Sequence, residues 1–457
     1  MRVIMMTALE WRVAGSLAMI YAARMLGLFM ILPVFSLYAH YYPHSTDLLV
    51  GLAIGIYGLT QAIFQIPLGM LSDRIGRKPV IIGGLICFAV GSAVAALSST
   101  IEWVIIGRAL QGMGAISAVT LALAADLTQE QNRTRVMSVI GITIAMSFAG
   151  GMVLGPLISQ DYGMAGVFWF TAVLALIGIL LIVLVVPTPD QVFAHPDTGV
   201  VDGYLRQVLH DPIMMRLNAG VFTLHMIMTA SFLVVPNLLT DSLGLDKTAH
   251  WKVYLPIFLG AFILSIPLII VAEKYRKMRS ILIAAIAMLV VAELVMGLST
   301  HTLALFLVGF LVFFIGFNFL EASQPSLVAK YSKVNLKGTA MSVYSLSQVL
   351  GIFAGGTLGG YIKQHYGLSG IFIVNAVVAG VWLLLALGLP AIKFYSSRII
   401  RLDPSYLAKN KQVLEQALGQ VQGVREIYID SSTGRAYLKV DEQLDEQALQ
   451  VFSNPLR

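Results

Sequence analysis

The stretch Gly69-Met-Leu-Ser-Asp-Arg-Ile-Gly-Arg-Lys-Pro79 determines how the rest of this sequence is interpreted. Four of its eleven residues are charged, and it separates apolar runs at about 50–71 and 79–98. Each run has roughly the 20 residues that a helix needs to cross a bilayer. A short, mostly basic connection between two such runs is typical of a loop between membrane-spanning helices. The stretch therefore predicts a polytopic membrane protein.

The composition of the 457-residue chain agrees with that interpretation. Apolar residues make up 58% of it, and Asp, Glu, Lys and Arg only 12%, against about 25% charged residues in soluble domains. So few charges exclude an ordinary soluble enzyme, a disordered chain and a nucleic-acid-binding protein. The single cysteine, Cys87, excludes an intrachain disulfide and a cysteine metal site.

Twelve apolar runs are long enough to span, and backbone groups in hydrocarbon require each of them to be helical. No small-residue cleavage signal follows the N-terminus, so the first run is predicted to remain as a span. The fold class is an all-α polytopic membrane protein of two pseudo-symmetric six-helix halves. The runs lie at about 14–38, 50–71, 79–98, 101–125, 136–158, 165–187, 213–236, 252–272, 279–298, 303–328, 338–362 and 368–391.

The connections carry a strong charge bias. The N-terminus and alternate loops hold 16 Lys and Arg residues, and the other loops hold 3. Basic residues favour the cytoplasmic side, so both termini are predicted to be cytoplasmic, which agrees with an even number of spans. The bias predicts an inner-membrane protein with the charged turn at 69–79 inside the cell.

The last 66 residues differ in composition, because residues 392–457 hold 17 charged residues. Strands are predicted at 398–402, 424–429 and 435–440, and helices at 406–421 and 443–452. This order resembles a ferredoxin-like α+β plait without its last strand. The predicted domains are therefore an N-terminal half (1–190), a cytoplasmic central loop (191–212), a C-terminal half (213–391) and a soluble tail (392–457).

Short segments recur between the two halves. Phe148-Ala-Gly-Gly151 returns as Phe353-Ala-Gly-Gly356, each followed by a glycine, and Met137-Ser-Val139 returns as Met341-Ser-Val343. The offsets are about one six-helix half. Two related halves around a central cavity are the layout of many secondary transporters.

The charged turn resembles the cytoplasmic signature of the major facilitator superfamily, G-x-L-x-D-R-x-G-R-[KR]. Residues 24–30, the loop 126–133 and the short tail resemble, more narrowly, the YajR-type transporters of that superfamily. The resemblance covers about the first 391 residues. It implies transport by alternating access rather than an enzymatic reaction, and no cofactor or metal.

The resemblance also implies a conformational latch. Gly69 would permit close helix approach, Asp73 would be buried near residues 338–340, and Arg77 would pair with Asp73 and Asp126. A carboxylate at a helix N-terminus gains up to about 2 kcal/mol when partly buried. The alternative is that these charges only determine topology. The latch residues are Gly69, Asp73, Arg74, Gly76, Arg77, Lys78 and Asp126.

Two further patterns lie inside predicted spans. Arg108-Ala-Leu-Gln-Gly-Met-Gly114 resembles a family pattern linked to proton movement, with a clamp on backbone carbonyls as the alternative. Gly150 to Pro156 resembles an antiporter signature, although Ile142, Ser159 and Gln160 depart from it. Ordinary close packing is the alternative there. The helix-packing candidates are Gly151, Gly155, Pro156, Gly356 and Gly360.

Ionisable side chains inside spans are functional candidates, because charge is costly in the bilayer. Glu321 is the first candidate for proton coupling, followed by His225 and Arg108. A salt bridge and a core histidine are the alternatives for Glu321 and His225. Glu293 is expected to pack on the outer rim or to pair locally. The cavity and substrate candidates are Arg24, Tyr57, Gln61, Gln65, Asn318 and Gln324. Arg24 could bind an anionic substrate or form a salt bridge with a cavity carboxylate. The stripe of Tyr57, Gln61 and Gln65 could line the cavity or form an interhelical hydrogen-bond seam.

The sequence therefore predicts a secondary transporter, most specifically a proton-coupled antiporter that exports a small amphiphilic compound. The rivals are an uncoupled facilitator, a sugar or metabolite exporter, and a membrane sensor with the tail as output. The expected partners are the lipid bilayer, a small-molecule substrate, protons, and a cytoplasmic ligand or protein at the tail. No nucleic-acid partner is expected.

Overall fold

The computed structural model describes residues 7–128, 130–188, 204–333, 336–390, 395–402, 411–430, 434–441 and 443–452. Most of these residues are helical. Short 3-10 or π turns occupy Ala39–Tyr41, Leu238–Ser242 and Lys247–Ala249. The helices before the tail are α1 (Ala8–Phe29), α2 (Phe35–Tyr38), α3 (Asp47–Ile75), α4 (Arg77–Ala96), α5 (Ile101–Met113), α6 (Ser117–Asp126), α7 (Glu130–Leu184), α8 (Tyr204–His210), α9 (Pro212–Asn237), α10 (His250–Lys274), α11 (Met278–Leu298), α12 (Leu303–Tyr331) and α13 (Lys337–Leu387).

Ten helical segments of the described chain are long and apolar enough to cross a membrane. Two of them, Arg135–Leu184 and Lys337–Leu387, have 50 and 51 residues, more than twice the roughly 20 that one crossing needs. Each is interrupted by a glycine of positive φ, Gly163 at 59° and Gly367 at 71°, a region that residues with a Cβ rarely adopt. The chain can turn back at these two points, and the count of twelve crossings stays a prediction.

The two breaks extend the internal repeat. Tyr162-Gly-Met-Ala-Gly166 in α7 corresponds to Tyr366-Gly-Leu-Ser-Gly370 in α13, and each break is the first glycine of its copy. In both copies the second glycine faces the Cβ of the tyrosine four residues earlier. The two long helices therefore bend at equivalent places.

Two helix boundaries differ from the predicted runs for local reasons. α1 begins earlier than residue 14, because Thr7 and Glu10 form a reciprocal capping box at its start. The predicted span 101–125 is not one helix. Gly114 leaves helical geometry, with φ −72° and ψ 39°, and the chain restarts as α6 at Ser117.

The halves are helix bundles that meet along α3 and α13. Within the first half α1 packs on α7, and within the second α9 packs on α13. The second half has an aromatic core, in which the Phe314 ring lies 4.4 Å from Phe258 and 5.0 Å from Phe310. This packing sets the interface on which the candidate site lies.

The tail contains a three-stranded antiparallel sheet, β1 (Ser396–Arg401), β2 (Val424–Asp430) and β3 (Arg435–Val440), in the order β1-β3-β2. Helices α14 (Lys411–Gly419) and α15 (Glu446–Gln450) accompany it, and α15 is shorter than predicted. Leu414, Leu418 and Leu438 are in its apolar core. Parts of four predicted features lie outside the described residues: the loop at 126–133, the central loop, the first tail helix and the hairpin turn at 430–434.

Candidate transport site and latch

The charged turn between α3 and α4 is organised around Arg77. Its buried guanidinium lies 3.1 Å from the carboxylate of Asp126, which is fully buried. It also contacts the Asp73 carboxylate and donates to the Ser72 hydroxyl at 2.7 Å. Gly76 adopts φ 96°, which lets α4 begin directly after α3 ends. Arg77 thus ties the turn to the end of α6.

Flanking parts of the turn have other surroundings. The Lys78 ammonium donates to the carbonyl of Val186 at 2.8 Å, and Arg74 is exposed. A Cβ placed on Gly69 would meet no atom within 4 Å. The expectation of close helix approach at Gly69 is therefore wrong for this conformation.

Asp73 also departs from its expected place. Its side chain is 48% exposed rather than buried against residues 338–340. The close contacts between α3 and α13, at Gly51, Gly55 and Gly58, lie toward the opposite end of α3. We call the parts of the molecule around the two ends of α3 the Asp73 end and the Asp47 end.

The Asp47 end is closed by contacts between α3 and α13. Lys363 pairs with Asp47 at 2.9 Å, and the Leu48 amide donates to the Gln364 side chain at 3.3 Å. A Cβ on Gly356 would lie 2.5 Å from the Gly51 carbonyl oxygen. The two helices therefore approach so closely that only glycine fits.

The other glycine motif packs within the first half. A Cβ on Gly151 would lie 2.8 Å from Cβ of Phe29, and one on Gly155 would run into the carbonyl of Met30. Pro156 lies inside α7, and Gly360 faces the Asp47 carbonyl across the closed end. These contacts agree with ordinary close helix packing, the alternative interpretation of the antiporter-like pattern at Gly150 to Pro156.

Polar side chains of the first half converge on Arg24. Its guanidinium contacts the Ser117 hydroxyl and donates to the Gln61 side chain at 3.1 Å. Its central carbon lies 5.9 Å from the Tyr57 ring. Arg24 itself is only 3% exposed. The predicted cavity residues of α1 and α3 therefore form one cluster.

The central carbon of the Arg108 guanidinium lies 4.8 Å from the centroid of the same Tyr57 ring. The guanidinium donates to the Ala53 carbonyl at 3.2 Å, the Ile54 carbonyl at 3.5 Å and the Gln111 side chain at 2.6 Å. These are the contacts of a clamp on backbone carbonyls, the alternative for this motif.

In the second half, His225 of α9 and Glu321 of α12 lie 3.5 Å apart. Gln348 of α13 joins them, because its amide nitrogen is 2.8 Å from His225 Nε2 and 3.2 Å from Glu321 Oε1. Gln324 is buried, whereas Asn318 is half-buried. The two foremost proton candidates are therefore direct neighbours.

Among the described residues, one hydrogen bond joins the two clusters across the interface. The Gln65 amide donates to the Ser345 hydroxyl at 3.1 Å. Gln65 is one helical turn from Gln61, and Ser345 is one turn from Gln348, so each pair lies on one helix face. A polar track thus runs from Arg24 to Glu321.

Sequence reasoning missed Ser117, Ser345 and Gln348. The signal that could have found the last two is the polar density of the segment Met341-Ser-Val-Tyr-Ser-Leu-Ser-Gln348, which is unusual within an apolar span. Ser117 could have been found only by recognising that Gly114 interrupts the span.

Glu293 does not lie where the sequence predicts. It is fully buried, not on the outer rim. Its carboxyl contacts the Ser231 hydroxyl at 2.8 Å and the Asn375 amide at 3.3 Å. The expectation of a rim position is wrong, because α11 turns this residue toward α9 and the second half of α13.

The tail is attached to the membrane region through Lys439 of β3. The ammonium donates to the carbonyls of Lys330 and Ser332 at 3.0 and 2.5 Å, and lies 3.4 Å from the Glu426 carboxylate. These carbonyls close α12, where a cation is favoured by the helix dipole. The tail therefore contacts the helix that carries Glu321.

Two helical halves, a polar track between them and a charged turn at one end define a membrane transporter rather than an enzyme. The Major Facilitator Superfamily model matches residues 17–257 and 217–414. This chain belongs to that family, which confirms the resemblance seen in the sequence. It is a multi-pass transport protein of the inner membrane.

Several known proteins are similar to it. The inner membrane transport protein YajR of Escherichia coli (strain K12) is 43% identical over 439 residues, 96% of each chain. The multidrug resistance protein MdtH of Aeromonas salmonicida is 25% identical over 76% of this chain and 86% of its own. A bacterial homologue of the lysosomal transporter Spinster, solved in an inward-facing and occupied conformation, shares the fold with a TM-score of 0.67 at 13% identity. That alignment covers 83% of this chain and 97% of the other.

Proposed function

We propose that this protein is a proton-coupled antiporter that exports a small amphiphilic compound by alternating access. The observation that carries the proposal is the polar track from Arg24 to Glu321, which crosses from one half to the other through Gln65 and Ser345. A track that crosses the interface must be rearranged whenever the halves rock. Its groups are therefore placed to link a change of charge to a change of conformation.

The architecture in this proposal is the one that the sequence predicts. The positive-φ breaks at Gly163 and Gly367, where the chain can turn back, support a count of twelve spans. The strand order β1-β3-β2 agrees with the first three strands of a ferredoxin-like plait. Domains at 1–190, 191–212, 213–391 and 392–457, with both termini cytoplasmic, complete it.

The proton step is assigned to Glu321 and His225. One proton taken up by a carboxylate and a neutral imidazole changes the charge of the pair from −1 to 0. His225 Nδ1 lies 3.1 Å from the Val221 carbonyl, which suits an Nδ1–H tautomer, and leaves Nε2 to accept from Gln348. If His225 Nε2 is protonated, it and the Gln348 amide nitrogen are both donors and face each other. The Gln348 amide must then turn its oxygen toward the ring. Because Gln348 is one turn from Ser345, this rearrangement acts directly on the interface.

The latch belongs to the opposite phase of the cycle. In the present conformation Lys363 and Asp47 hold one end closed, and Asp73 is half-exposed at the other. When the halves rock, Asp73 is proposed to dock on the start of α13 near residues 338–340. There, free N–H groups and the helix dipole favour a carboxylate.

The test uses full-length protein in liposomes with a trapped pH-sensitive dye. Lipophilic cations, sugars and organic anions are added as a panel, and wild type is compared with Glu321→Gln. The matched control is Glu273→Gln, because Glu273 pairs with Lys330 at a helix end away from the track. A substrate-triggered pH change that Glu273→Gln keeps and Glu321→Gln loses is the expected result.

Substrate flux without a pH change would overturn proton coupling and favour an uncoupled facilitator. A pH change that survives Glu321→Gln would overturn the assignment of the proton site. The absence of any flux would favour the membrane sensor. The name of the similar Aeromonas protein, a multidrug resistance protein, supports the choice of amphiphilic compounds for the panel.

A further inference from the structure

The break between α5 and α6 places a helix N-terminus inside the membrane region. The Ile116 amide bonds to the Gly114 carbonyl at 2.8 Å, and the first amide bonded inside α6 is that of Thr120 to Ile116. The amides of residues 117–119 therefore have no partner within the ten-residue helix α6. Such an end carries a partial positive charge and favours anions.

Arg24 is aimed at this end. Its guanidinium contacts the side chain of Ser117, the first residue of α6. The Arg24 Nε is buried without a hydrogen-bond partner. Only two of its five N–H groups have partners among the described residues, both neutral, on Ser117 and Gln61.

No carboxylate of the described first half is placed to neutralise Arg24. The side chains in question all lie within four residues of a helix end or of the Gly163 break, and the nearest in α1, Glu10, is 14 residues away, about 21 Å along the axis. These carboxylates belong to Glu10, Asp47, Asp73, Glu102, Asp126, Glu130 and Asp161. A buried guanidinium without a counter-ion is costly unless a ligand supplies the negative charge.

Arg108 does not share this property. Its N–H groups are occupied by two carbonyls of α3 and by Gln111. The unfilled donors of this region therefore belong to Arg24 and to the start of α6.

We propose that Arg24, Gln61 and the N-terminus of α6 form a binding site for the anionic oxygen group of the transported compound. This inference rests on the proposed transport function and names its substrate class, an amphiphilic organic anion. The ligand would take the Nε hydrogen and the remaining Nη hydrogens of Arg24, and the free amides of α6 would donate to it. The Tyr57 ring lies 5.9 Å from the central carbon of the guanidinium.

An aromatic group for the apolar part of the ligand lies further along α1. Phe29, five residues from Arg24 and therefore about 7 Å along the helix, has its ring 4.9 Å from that of Phe148. Phe148 stacks at 6.3 Å on Phe317 of the other half. The rings of Phe29, Phe148 and Phe317 thus form an apolar contact between the two halves near this site.

The test measures binding to full-length protein in nanodiscs of zwitterionic lipid. The probes are 4-phenylbutyrate and its neutral amide, 4-phenylbutyramide, which differ mainly in charge. Wild type is expected to bind the acid at least tenfold more tightly than the amide. Arg24→Gln is expected to remove this preference, and Arg24→Lys to keep part of it. Arg279→Gln, at an exposed helix end of the other half, is the matched control.

An unchanged preference in Arg24→Gln, or equal binding of both probes by wild type, would overturn the proposal. If Arg24→Gln fails to fold, Gln61→Leu and Ser117→Ala keep the guanidinium and are expected to weaken only the acid. Nanodiscs that contain phosphatidylglycerol test whether the anion that occupies the site is a lipid head group or a free compound. Competition by this lipid in wild type, but not in Arg24→Gln, would support the site with a lipid head group as occupant.

The outcome is distinguishable from that of the antiport proposal. Glu321→Gln should lose the pH change but keep the preference for the acid. Preferential binding without a pH change would leave the anion site standing and remove proton coupling. A pH change together with an unaltered preference in Arg24→Gln would do the reverse.

Discussion

Asparagine substitutions of Asp73 and Asp126 should affect different properties of the protein, although both carboxylates contact Arg77. The Asp126 side chain is fully buried, whereas that of Asp73 is 48% exposed. Asp126→Asn should therefore reduce stability, and Asp73→Asn should mainly change the balance between the two conformations.

The magnitudes follow from burial. Breaking a buried ion pair by removing one partner costs about 3–5 kcal/mol, which is expected for Asp126→Asn. A half-exposed pair contributes about 0–1 kcal/mol, so Asp73→Asn should hardly alter unfolding here. If Asp73 docks on the start of α13 in the other conformation, its loss there removes up to about 2 kcal/mol. That corresponds to a population shift of up to about 30-fold toward the state closed at the Asp47 end.

The assay combines thermal unfolding with distances between spin labels. Cys87 is first replaced by serine, and labels are then attached at Met70→Cys and Lys333→Cys, exposed positions of the two halves at the Asp73 end. Asp73→Asn should enrich the longer distances without lowering the melting temperature, and Asp126→Asn should lower it. Equal melting temperatures, or an unchanged distance distribution in Asp73→Asn, would refute the reasoning.

Three further predictions concern other parts of the chain. Gly356→Val should force α13 away from Gly51 and destabilise the conformation closed at the Asp47 end by about 1–3 kcal/mol. The spin-label distances at the Asp73 end should then become shorter. The free energy of unfolding of Glu293→Gln should lie within about 1 kcal/mol of the wild-type value, because the partners of Glu293 are neutral donors. Glu293→Ala should lower it by about 1–3 kcal/mol, because those donors are left without an acceptor. Denaturant titration measures both values. Lys439→Ala should speed hydrogen exchange at the end of α12, while Lys333→Ala, an exposed control, should not.

Much of the scaffold could be predicted from sequence, because apolar length and glycine spacing are local properties. The hairpin strand at 435–440 was predicted with its observed bounds. Within the turn at 69–79, Arg77 contacts Asp73, and it also pairs with Asp126 as the resemblance implies. The break at Gly114 could not be seen, because apolar residues continue on both sides and periodicity does not register a single non-helical residue.

The site was harder to predict, since it depends on helix rotation and on which end of the molecule is closed. The Tyr57, Gln61 and Gln65 stripe could be placed on one helix face, but not its partners Arg24 and Ser345 on other helices. Glu293 had no periodic signal that separates a buried from a lipid-facing position. Exposure of Asp73 is a property of one conformation, which a sequence does not specify.

The equivalent breaks at Gly163 and Gly367 have a consequence for the history of the molecule. If the halves arose by duplication of one ancestral segment, the backbone hinge was retained in both copies while the ionisable side chains diverged. One copy now holds the buried arginines Arg24 and Arg108, and the other holds Glu293, Glu321 and His225. The repeated backbone and its ionisable side chains can then change independently, so charged residues could be exchanged between such transporters without altering the helix breaks.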